Sequence, residues 1–142
     1  MTENDPYTAA ELLAVMSSRL LEDGQTVFAG VGIPLLAATL AQRTHAPGLT
    51  ILFEGGTLGP FIVPGELPPS TNEQRCTRKA NMVLPITDVM LLLQRGYIDI
   101  GFMGGAQIDP PVARTGVLTR VARCAAWFES AILGEPLSMV PS

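Results

Sequence analysis

The sequence contains few of the residues from which metal centres and histidine-based catalytic triads are built. It has one histidine, His45, and two cysteines, Cys76 and Cys124, among its 142 residues. The cysteines lie far apart without metal-ligand spacing, which fits reduced thiols in a cytoplasm better than a disulfide framework. Charged residues make up only 15% of the chain, and the net charge is −4. The composition therefore argues against a metal cluster, and it lacks the basic face expected of a nucleic-acid-binding domain.

Long apolar runs are also lacking. The longest charge-free apolar stretch, residues 27–41, contains Gly32 and Pro34 and is shorter than the ~20 residues that a membrane helix needs. We expect no secretion signal, because no basic region followed by an apolar one opens the chain. Hydrophobic residues nevertheless reach 47%, which indicates either a large buried parallel sheet or a surface that a partner covers. We therefore expect a cytoplasmic domain without membrane contact.

Helical patterns occur three times in the first hundred residues. Thr8 and Glu11 have the spacing of a capping box, and apolar residues recur at helical spacing after them. Pro34 stands where helices often begin, and Gly96 has the position of a C-terminal cap. The predicted helices span residues 8–23, 34–44 and 87–95.

Short apolar runs between these helices predict the strands of a parallel sheet. The predicted strands span residues 26–29, 49–53, 81–84 and 98–103. The first two strands and the helix between them form a βαβ unit, in which the strands run parallel. Residues 55–79 are rich in Gly, Pro and Thr and are predicted to form a long loop.

Glycine-bearing loops follow three of the predicted strands. The loops comprise Gly30, Val31 and Gly32; Glu54, Gly55 and Gly56; and Gly104, Gly105, Ala106 and Gln107. Loops at the carboxyl ends of parallel strands emerge on one edge of the sheet, where ligands bind. We therefore expect one shared rim on which a single carboxylate stands among exposed backbone amides.

A glutamate in such surroundings is a candidate nucleophile. Carboxylates form covalent acyl intermediates, and nearby amides stabilise developing negative charge. A solvated or capping role remains open for Glu54, as does a packing role for the glycines. A dinucleotide fold is a further alternative, because its ribose-binding acid lies about 20 residues after the glycines. In that fingerprint, however, Leu35 replaces the third glycine and Pro34 crowds the turn.

The segment DGQTVFAGVGIPLLAATLAQRTHAPGLTILFEGG resembles the β-type subunit of class I CoA-transferases, most closely the glutaconate CoA-transferase branch. The similar features are the Gly30-x-Gly32-x-Pro34 pattern, the THAP motif after the helix, and the strand that ends in Glu54 before a glycine. LLLQRGYIDIGFMGGAQID also resembles the family's later helix, strand and glycine turn. The resemblance runs from about residue 9 to Asp109, and it depends on several motifs in the right order.

This resemblance implies a three-layer α/β fold around a mostly parallel sheet. It implies that Glu54 attacks an acyl-CoA thioester and passes through a glutamyl-CoA thioester, with the rim glycines, Val31, Ala106 and Gln107 contacting CoA or the oxyanion. Coenzyme A is then a substrate, and neither a metal nor an organic cofactor is needed. An α-type subunit completes the site, commonly in a heterotetramer that acts on an acyl-CoA and a carboxylic acid. An acyl-CoA hydrolase and a non-catalytic fragment remain alternatives.

The chain departs from the family pattern near the glutamate and after residue 109. Gly55 replaces a polar residue, and Phe28 stands where the succinyl-CoA branch has an oxyanion-hole Asn. Residues 110–142 lack the family's second glycine-rich loop, and helical spacing between Val117 and Ile132 predicts a helical tail. Two interpretations remain open, a truncated or frame-disrupted gene product and a short divergent subunit, and the first is favoured. The favoured interpretation, a truncated or frame-disrupted gene product, implies that the 142-residue chain alone is inactive.

Overall fold

The computed structural model describes residues 6–63, 65–103 and 123–126. The helices are α1 (Ala9–Ser18), α2 (Ile33–Thr44) and α3 (Ile86–Gln94), and a short 3₁₀ helix spans Gln74–Thr77. The strands are β1 (Thr26–Ala29), β2 (Thr50–Leu52), β3 (Thr57–Leu58), β4 (Met82–Val83), β5 (Ile100–Met103) and β6 (Arg123–Ala126). Helices and strands alternate from α1 to β2 and again from β4 to β5, as the sequence patterns predict, whereas β3 follows β2 directly.

The predicted helix ends are explained by local hydrogen bonds. Thr8 caps α1, and the reciprocal bonds of the capping box to Glu11 are both formed. Gly96 follows α3 with a φ of 73°, the left-handed conformation typical of the residue after a helix. The first helix is shorter than predicted, because tighter bonds from the Leu20 and Leu21 amides to Ser17 and Ser18 end it. Among the described residues, no helix is long and apolar enough to cross a membrane.

The sheet has the strand order β4-β3-β2-β1-β5-β6. Strand β1 lies between β2 and β5 and runs parallel to both, and β6 is parallel to β5. Strands β3 and β4 are antiparallel additions at the other edge. The mostly parallel sheet and the strand predicted over residues 81–84 are confirmed. The prediction of an unbroken loop over residues 55–79 is wrong at β3, because a tight turn after β2 returns the chain to pair with it.

The tail contains a strand where the sequence predicted a helix. Arg123–Ala126 pairs residue by residue with Ile100–Met103, so the predicted helix is wrong at these four residues. The helix was predicted from the helical spacing of apolar residues. A short apolar run fits a strand equally well when it can pair with the edge of a sheet, here β5. The rest of the predicted helix lies outside the described residues.

Helices cover both faces of the sheet and give it three layers. The alternating side chains of a strand point to opposite faces, and Val27 and Ile51 accordingly pack with α2 in the larger core cluster. Leu52 joins Val89 of α3 in a second cluster on the other face, against which Phe28 packs. The three-layer α/β fold predicted from the resemblance is confirmed. Its larger core lies between the sheet and α2, directly below the carboxyl ends of β1 and β2.

Candidate active site

Glu54 lies in the tight turn that joins β2 to β3. The amide of Gly56 donates to the Phe53 carbonyl at 2.9 Å, and the Phe53 amide donates to the Thr57 carbonyl at 2.9 Å. Phe53 is fully buried whereas Glu54 is exposed, so the core anchors the residue directly before the carboxylate. None of the hydrogen bonds and salt bridges found between described residues involves the Glu54 carboxylate. Its oxygens are therefore presented to the outside by a fixed backbone.

The two glycines after Glu54 are required by close contacts on two sides. A Cβ on Gly56 would lie 1.8 Å from the Leu84 carbonyl oxygen, and the φ of Gly56 is +95°. A Cβ on Gly55 would lie 2.3 Å from Asn72 Oδ1 and 2.6 Å from the Thr71 carbonyl oxygen. Neither position has room for a side chain, because neighbouring segments pack directly against the backbone. The two glycines after Glu54 are therefore needed because the turn packs between two neighbouring segments.

The Gly30–Gly32 loop lies beside this turn. Phe28 of β1 is opposite Leu52 of β2, so Gly30 and Glu54, each two residues further on, leave the sheet at the same level. Neighbouring strands are about 5 Å apart, which places the two loops side by side at the carboxyl edge. No atom of the described residues lies within 4 Å of a Cβ placed on Gly30, so this part of the chain leaves space for a ligand above the loop.

Gly32 turns the chain from β1 into α2. Its φ of 84° and ψ of −139° belong to a region that essentially only glycine occupies, and it is the N-cap of α2. No side chain caps this helix, so amides of its first turn face the rim. A helix N-terminus carries a partial positive charge and favours anions. Val31, between the two glycines, is 38% exposed and lies on the outer surface of the loop.

The third predicted loop lies outside the described residues. Ala29 is opposite Phe102, so the described end of β5 reaches the same edge of the sheet as β1. The assignments of Gly104, Gly105, Ala106 and Gln107 remain predictions. The structure thus brings together two of the three predicted loops, around Gly30 and around Glu54.

Three basic residues, Arg75, Arg78 and Lys79, lie in the segment after the turn. The Arg75 guanidinium forms a salt bridge with Glu73 at 2.6 Å, and this hydrogen bond raises the pKa of Arg75. Lys79 Nζ lies 4.9 Å from the centroid of the Phe61 ring. A cavity of about 90 Å³ opens here and is lined by Phe61, Ile62, Val63, Glu66, Pro68, Arg75, Cys76 and Arg78. Its lining includes no residue of the Gly30 or Glu54 loops, so it is separate from the candidate site.

Two chemically reactive side chains have structural surroundings. His45 Nε2 lies 3.1 Å from the Ser18 carbonyl oxygen and 3.0 Å from that of Leu21, and it thereby links the ends of α1 and α2. Cys76 is 3% exposed, and burial raises the pKa of its thiol. Neither is a nucleophile or base of the candidate site. Among the described residues, no group of three His, Cys, Asp or Glu side chains is arranged to hold a metal ion.

Sequence reasoning missed the segment that packs on Gly55. Thr71 and Asn72 belonged to a loop of uniform Gly, Pro and Thr composition, and nothing in their local pattern indicates a contact with a residue 17 positions earlier. Two adjacent glycines directly after a buried strand were the available signal. A pair of glycines at such a position indicates that other backbone approaches closely.

The profile of the coenzyme A transferase family matches residues 10–124, and the chain belongs to that family. The match extends past Asp109, beyond the region recognised from sequence motifs. The chain is 36% identical over 104 residues to the B chain of 3-oxoadipate CoA-transferase from Pseudomonas knackmussii, and these residues cover 72% of this chain and 39% of the relative. The similarities identify a class I CoA-transferase chain of the β type.

The corresponding B chain of glutaconate CoA-transferase from Acidaminococcus fermentans is 32% identical over 115 residues, which cover 78% of this chain and 42% of the relative. The chain thus spans about two fifths of the length of these curated relatives. A solved structure of the Acidaminococcus fermentans enzyme superimposes with a TM-score of 0.64 at 32% identity, over 74% of this chain and 42% of that one. The decarboxylase AibA/AibB superimposes with a TM-score of 0.68 at 29% identity, over 84% of this chain and 58% of that one.

Proposed function

We propose that this chain supplies the nucleophilic glutamate of a CoA-transferase that moves coenzyme A from an acyl-CoA to a carboxylic acid. The observation that supports this proposal most is the position of Glu54, exposed on a turn that is anchored in the core. The turn stands beside the glycine loop at the N-terminus of α2. A carboxylate there can reach a thioester carbonyl while backbone amides face the oxygen that becomes negative.

The proposed reaction begins with attack of the Glu54 carboxylate on the acyl-CoA thioester carbonyl. The carbon–sulfur bond breaks, CoA leaves as a thiolate, and a mixed anhydride of Glu54 and the acyl group remains. The thiolate then attacks the glutamyl carbonyl, which releases the first acid as a carboxylate and leaves a glutamyl-CoA thioester. The second acid attacks this thioester and again expels the CoA thiolate. That thiolate attacks the new acyl carbonyl, so the second acyl-CoA leaves and the Glu54 carboxylate is restored.

The rim loops have distinct roles in this scheme. Amides around Gly30, Val31 and Gly32 face the thioester oxygen or a CoA phosphate, since the start of α2 favours negative charge. Gly55 and Gly56 keep side chains away from the glutamyl carbonyl, which must be open to the incoming thiolate. The proposal also assigns contacts with CoA or the oxyanion to Gly104, Gly105, Ala106 and Gln107. The scheme needs no metal and no organic cofactor, and coenzyme A enters only as a substrate.

The proposal includes an α-type subunit, in a heterotetramer, as the partner that completes the acyl site. Exposed apolar side chains support a covered surface. Leu12 and Met16 lie one turn apart on α1, with exposures of 42% and 45%, and Leu20, two residues after the helix, is 46% exposed. Met82 and Val83 of β4 are 51% and 56% exposed. Such patches typically mark interfaces. We place the assembly in the cytoplasm, where acyl-CoA substrates and reduced thiols are found.

Two other activities are possible on the same framework. In an acyl-CoA hydrolase, water instead of a second acid resolves the glutamyl intermediate. A decarboxylase is a further candidate, because AibA/AibB has a similar fold. Loss of activity on substitution of Glu54 does not by itself distinguish transfer, hydrolysis and decarboxylation. The test must therefore also compare turnover with and without an acceptor acid.

The test is to co-express the chain with an α-type subunit and to assay CoA transfer, hydrolysis and decarboxylation separately. We expect turnover of acyl-CoA to require an acceptor acid and to be nearly abolished by Glu54→Gln, because an amide does not form the anhydride. Glu22→Gln is the matched control: it is the same exchange on an exposed side chain that precedes β1, at the opposite end of the strand. Full transfer activity in Glu54→Gln would overturn the proposal, as would acyl-CoA turnover that is independent of acceptor.

A further inference from the structure

The segment Ser70–Asn72 packs on the turn that carries Glu54. The position of a Cβ on Gly55 is 2.3 Å from Asn72 Oδ1, 2.6 Å from the Thr71 carbonyl oxygen and 3.1 Å from Asn72 Cα. The φ of Gly55 is not in the left-handed region, so backbone conformation does not demand glycine there. Glycine is needed at residue 55 for lack of space, because a side chain there would overlap with the Asn72 carboxamide in its present position.

This segment is held by the protein core. The Asn72 amide donates to Ser70 Oγ at 3.2 Å, and the Ser70 carbonyl oxygen accepts from Cys76 Sγ at 3.6 Å. Cys76 is buried in the same cluster as Phe53, the residue before Glu54. The segment and the turn are thus anchored in one cluster and meet again at Gly55. Contacts anchored at both ends fix a relative position far better than one exposed contact does.

The opposite side of the turn is fixed as well. The Leu84 amide donates to the Gly56 carbonyl oxygen at 2.9 Å, and the Leu84 carbonyl oxygen leaves no space for a Cβ on Gly56. Leu84 therefore closes one side of the Glu54 turn and Asn72 the other. Of the two, only Asn72 presents a polar, exposed side chain beside the peptide that links Glu54 to Gly55.

We propose that Asn72 is a positioning residue for Glu54, which packs its carboxamide against Gly55, the residue directly after the candidate nucleophile, and so helps to hold the turn. The catalytic meaning of this inference rests on the proposed function, whereas the packing of Asn72 on Gly55 is independent of it. Its effect on the reaction acts through Glu54 and consists of keeping the carboxylate in one orientation. A nucleophile held in position reacts faster than one that samples several orientations.

The first test measures the placement without any activity. We would label glutamate side chains with carbon-13 and follow the titration of the Glu54 carboxyl by NMR in the full chain. Asn72→Asp puts a negative charge roughly 6–9 Å from that carboxyl, judged from the reach of both side chains. We expect the titration midpoint of Glu54 to rise by about half a pH unit, as Coulomb repulsion between partly solvated charges of this separation gives.

Asn81→Asp is the matched control. Asn81 is also exposed and also packs against a glycine of the same hairpin, with its Nδ2 2.6 Å from the Cβ position of Gly59. Gly59 is directly after β3, about three residues along the hairpin from the turn and hence roughly 10 Å away. Because Coulomb repulsion falls with distance and is screened further by salt, we expect a clearly smaller shift than in Asn72→Asp. Equal shifts in Asn72→Asp and Asn81→Asp, or none in either, would overturn the proposed placement.

The second test asks whether the packing positions the nucleophile for reaction. In the complex with an α-type subunit, we expect Gly55→Ala to slow CoA labelling of Glu54 by about tenfold or more, the scale on which small displacements of a reacting group act. Asn72→Gly alone, which removes the carboxamide that packs on Gly55, should also slow the labelling, because the turn loses this support. KM for acyl-CoA should change less than kcat, because the substrate contacts remain.

The outcomes separate this inference from the proposed function. Absence of CoA labelling at Glu54 in the unsubstituted complex would refute the proposed function while leaving the NMR test valid. Normal labelling in the unsubstituted complex, with Gly55→Ala or Asn72→Gly at the native rate, would refute the positioning role. Circular dichroism of each variant establishes that the fold is intact, and Asn72→Asp, an exposed isosteric exchange, carries the test if Gly55→Ala does not fold.

Discussion

Substitution of Gly56 by alanine tests whether the Glu54 turn is clamped as the structure describes. The change has two costs. A left-handed φ of +95° costs an alanine about 1–2 kcal/mol. The Cβ would also lie 1.8 Å from the Leu84 carbonyl oxygen, so that β4 must move away and its hydrogen bond to Gly56 is lost. Such a bond contributes about 0.5–1.5 kcal/mol, and the sum is a destabilisation of about 1.5–3.5 kcal/mol.

The assay is urea unfolding of the full chain, followed by circular dichroism. With an m-value of about 2 kcal/mol/M, we expect the midpoint of Gly56→Ala to fall by about 0.8–1.8 M. Gly24→Ala is the matched control, because Gly24 also has a positive φ, +79°, but a Cβ there would meet nothing within 4 Å. It should lose only the backbone term, about 0.5–1 M.

The comparison isolates the contact between the turn and β4. If Gly56→Ala loses no more stability than Gly24→Ala, Leu84 does not press on the turn and the clamp is refuted. A larger loss in Gly56→Ala, together with slower CoA labelling of Glu54 in the complex, would link the stability of the turn to the reactivity of its carboxylate.

Three further predictions concern residues outside the candidate site. His45→Ala removes the contact with two carbonyls at the end of α1 and should lower the free energy of unfolding by about 1 kcal/mol, measured in urea, without changing CoA labelling of Glu54. Hydrogen bonds from the backbone and side chain of Thr8 lower the pKa of Glu11, so the ionised Glu11 carboxylate stabilises the fold at neutral pH. The difference in free energy of unfolding between the unsubstituted chain and Glu11→Gln should therefore shrink as the pH falls below 4.5. In a Cys124→Ser background, burial and the raised pKa of Cys76 should limit alkylation by iodoacetamide to the rate of unfolding, and rapid alkylation of the native chain would contradict the packing described here.

Most of the fold was predictable because its signals are local. The capping box at Thr8, the proline at the start of α2 and the glycine after α3 act within a few residues of themselves, and each has its expected structural effect. Strands β1 and β2 were found in the same way, as short apolar runs between turns. Parallel pairing then followed from the intervening helix.

The remaining features depend on contacts between distant residues. Strand β3 is two residues long and exists because the turn after β2 directs the chain back along it, which no periodicity in Thr57 and Leu58 reveals. Strand β6 forms because the edge of β5 is available, whereas its own sequence fits a helix equally well. The position of Glu54 on the rim followed from strand order. The contact of Asn72 with Gly55 did not, because it joins two loops whose sequences carry no shared pattern.

The most direct test of the central claim is mass spectrometry of the complex with an α-type subunit after incubation with acyl-CoA. We expect a CoA adduct on the tryptic peptide that spans residues 44–75, assigned by fragmentation to Glu54. Borohydride should reduce this thioester to an alcohol and lower the mass of the peptide relative to the unmodified form. The Glu54→Gln complex should show neither change. An adduct on Glu66 or Glu73 of the same peptide, or acyl-CoA turnover without any glutamyl adduct, would contradict the assignment of Glu54 as the nucleophile.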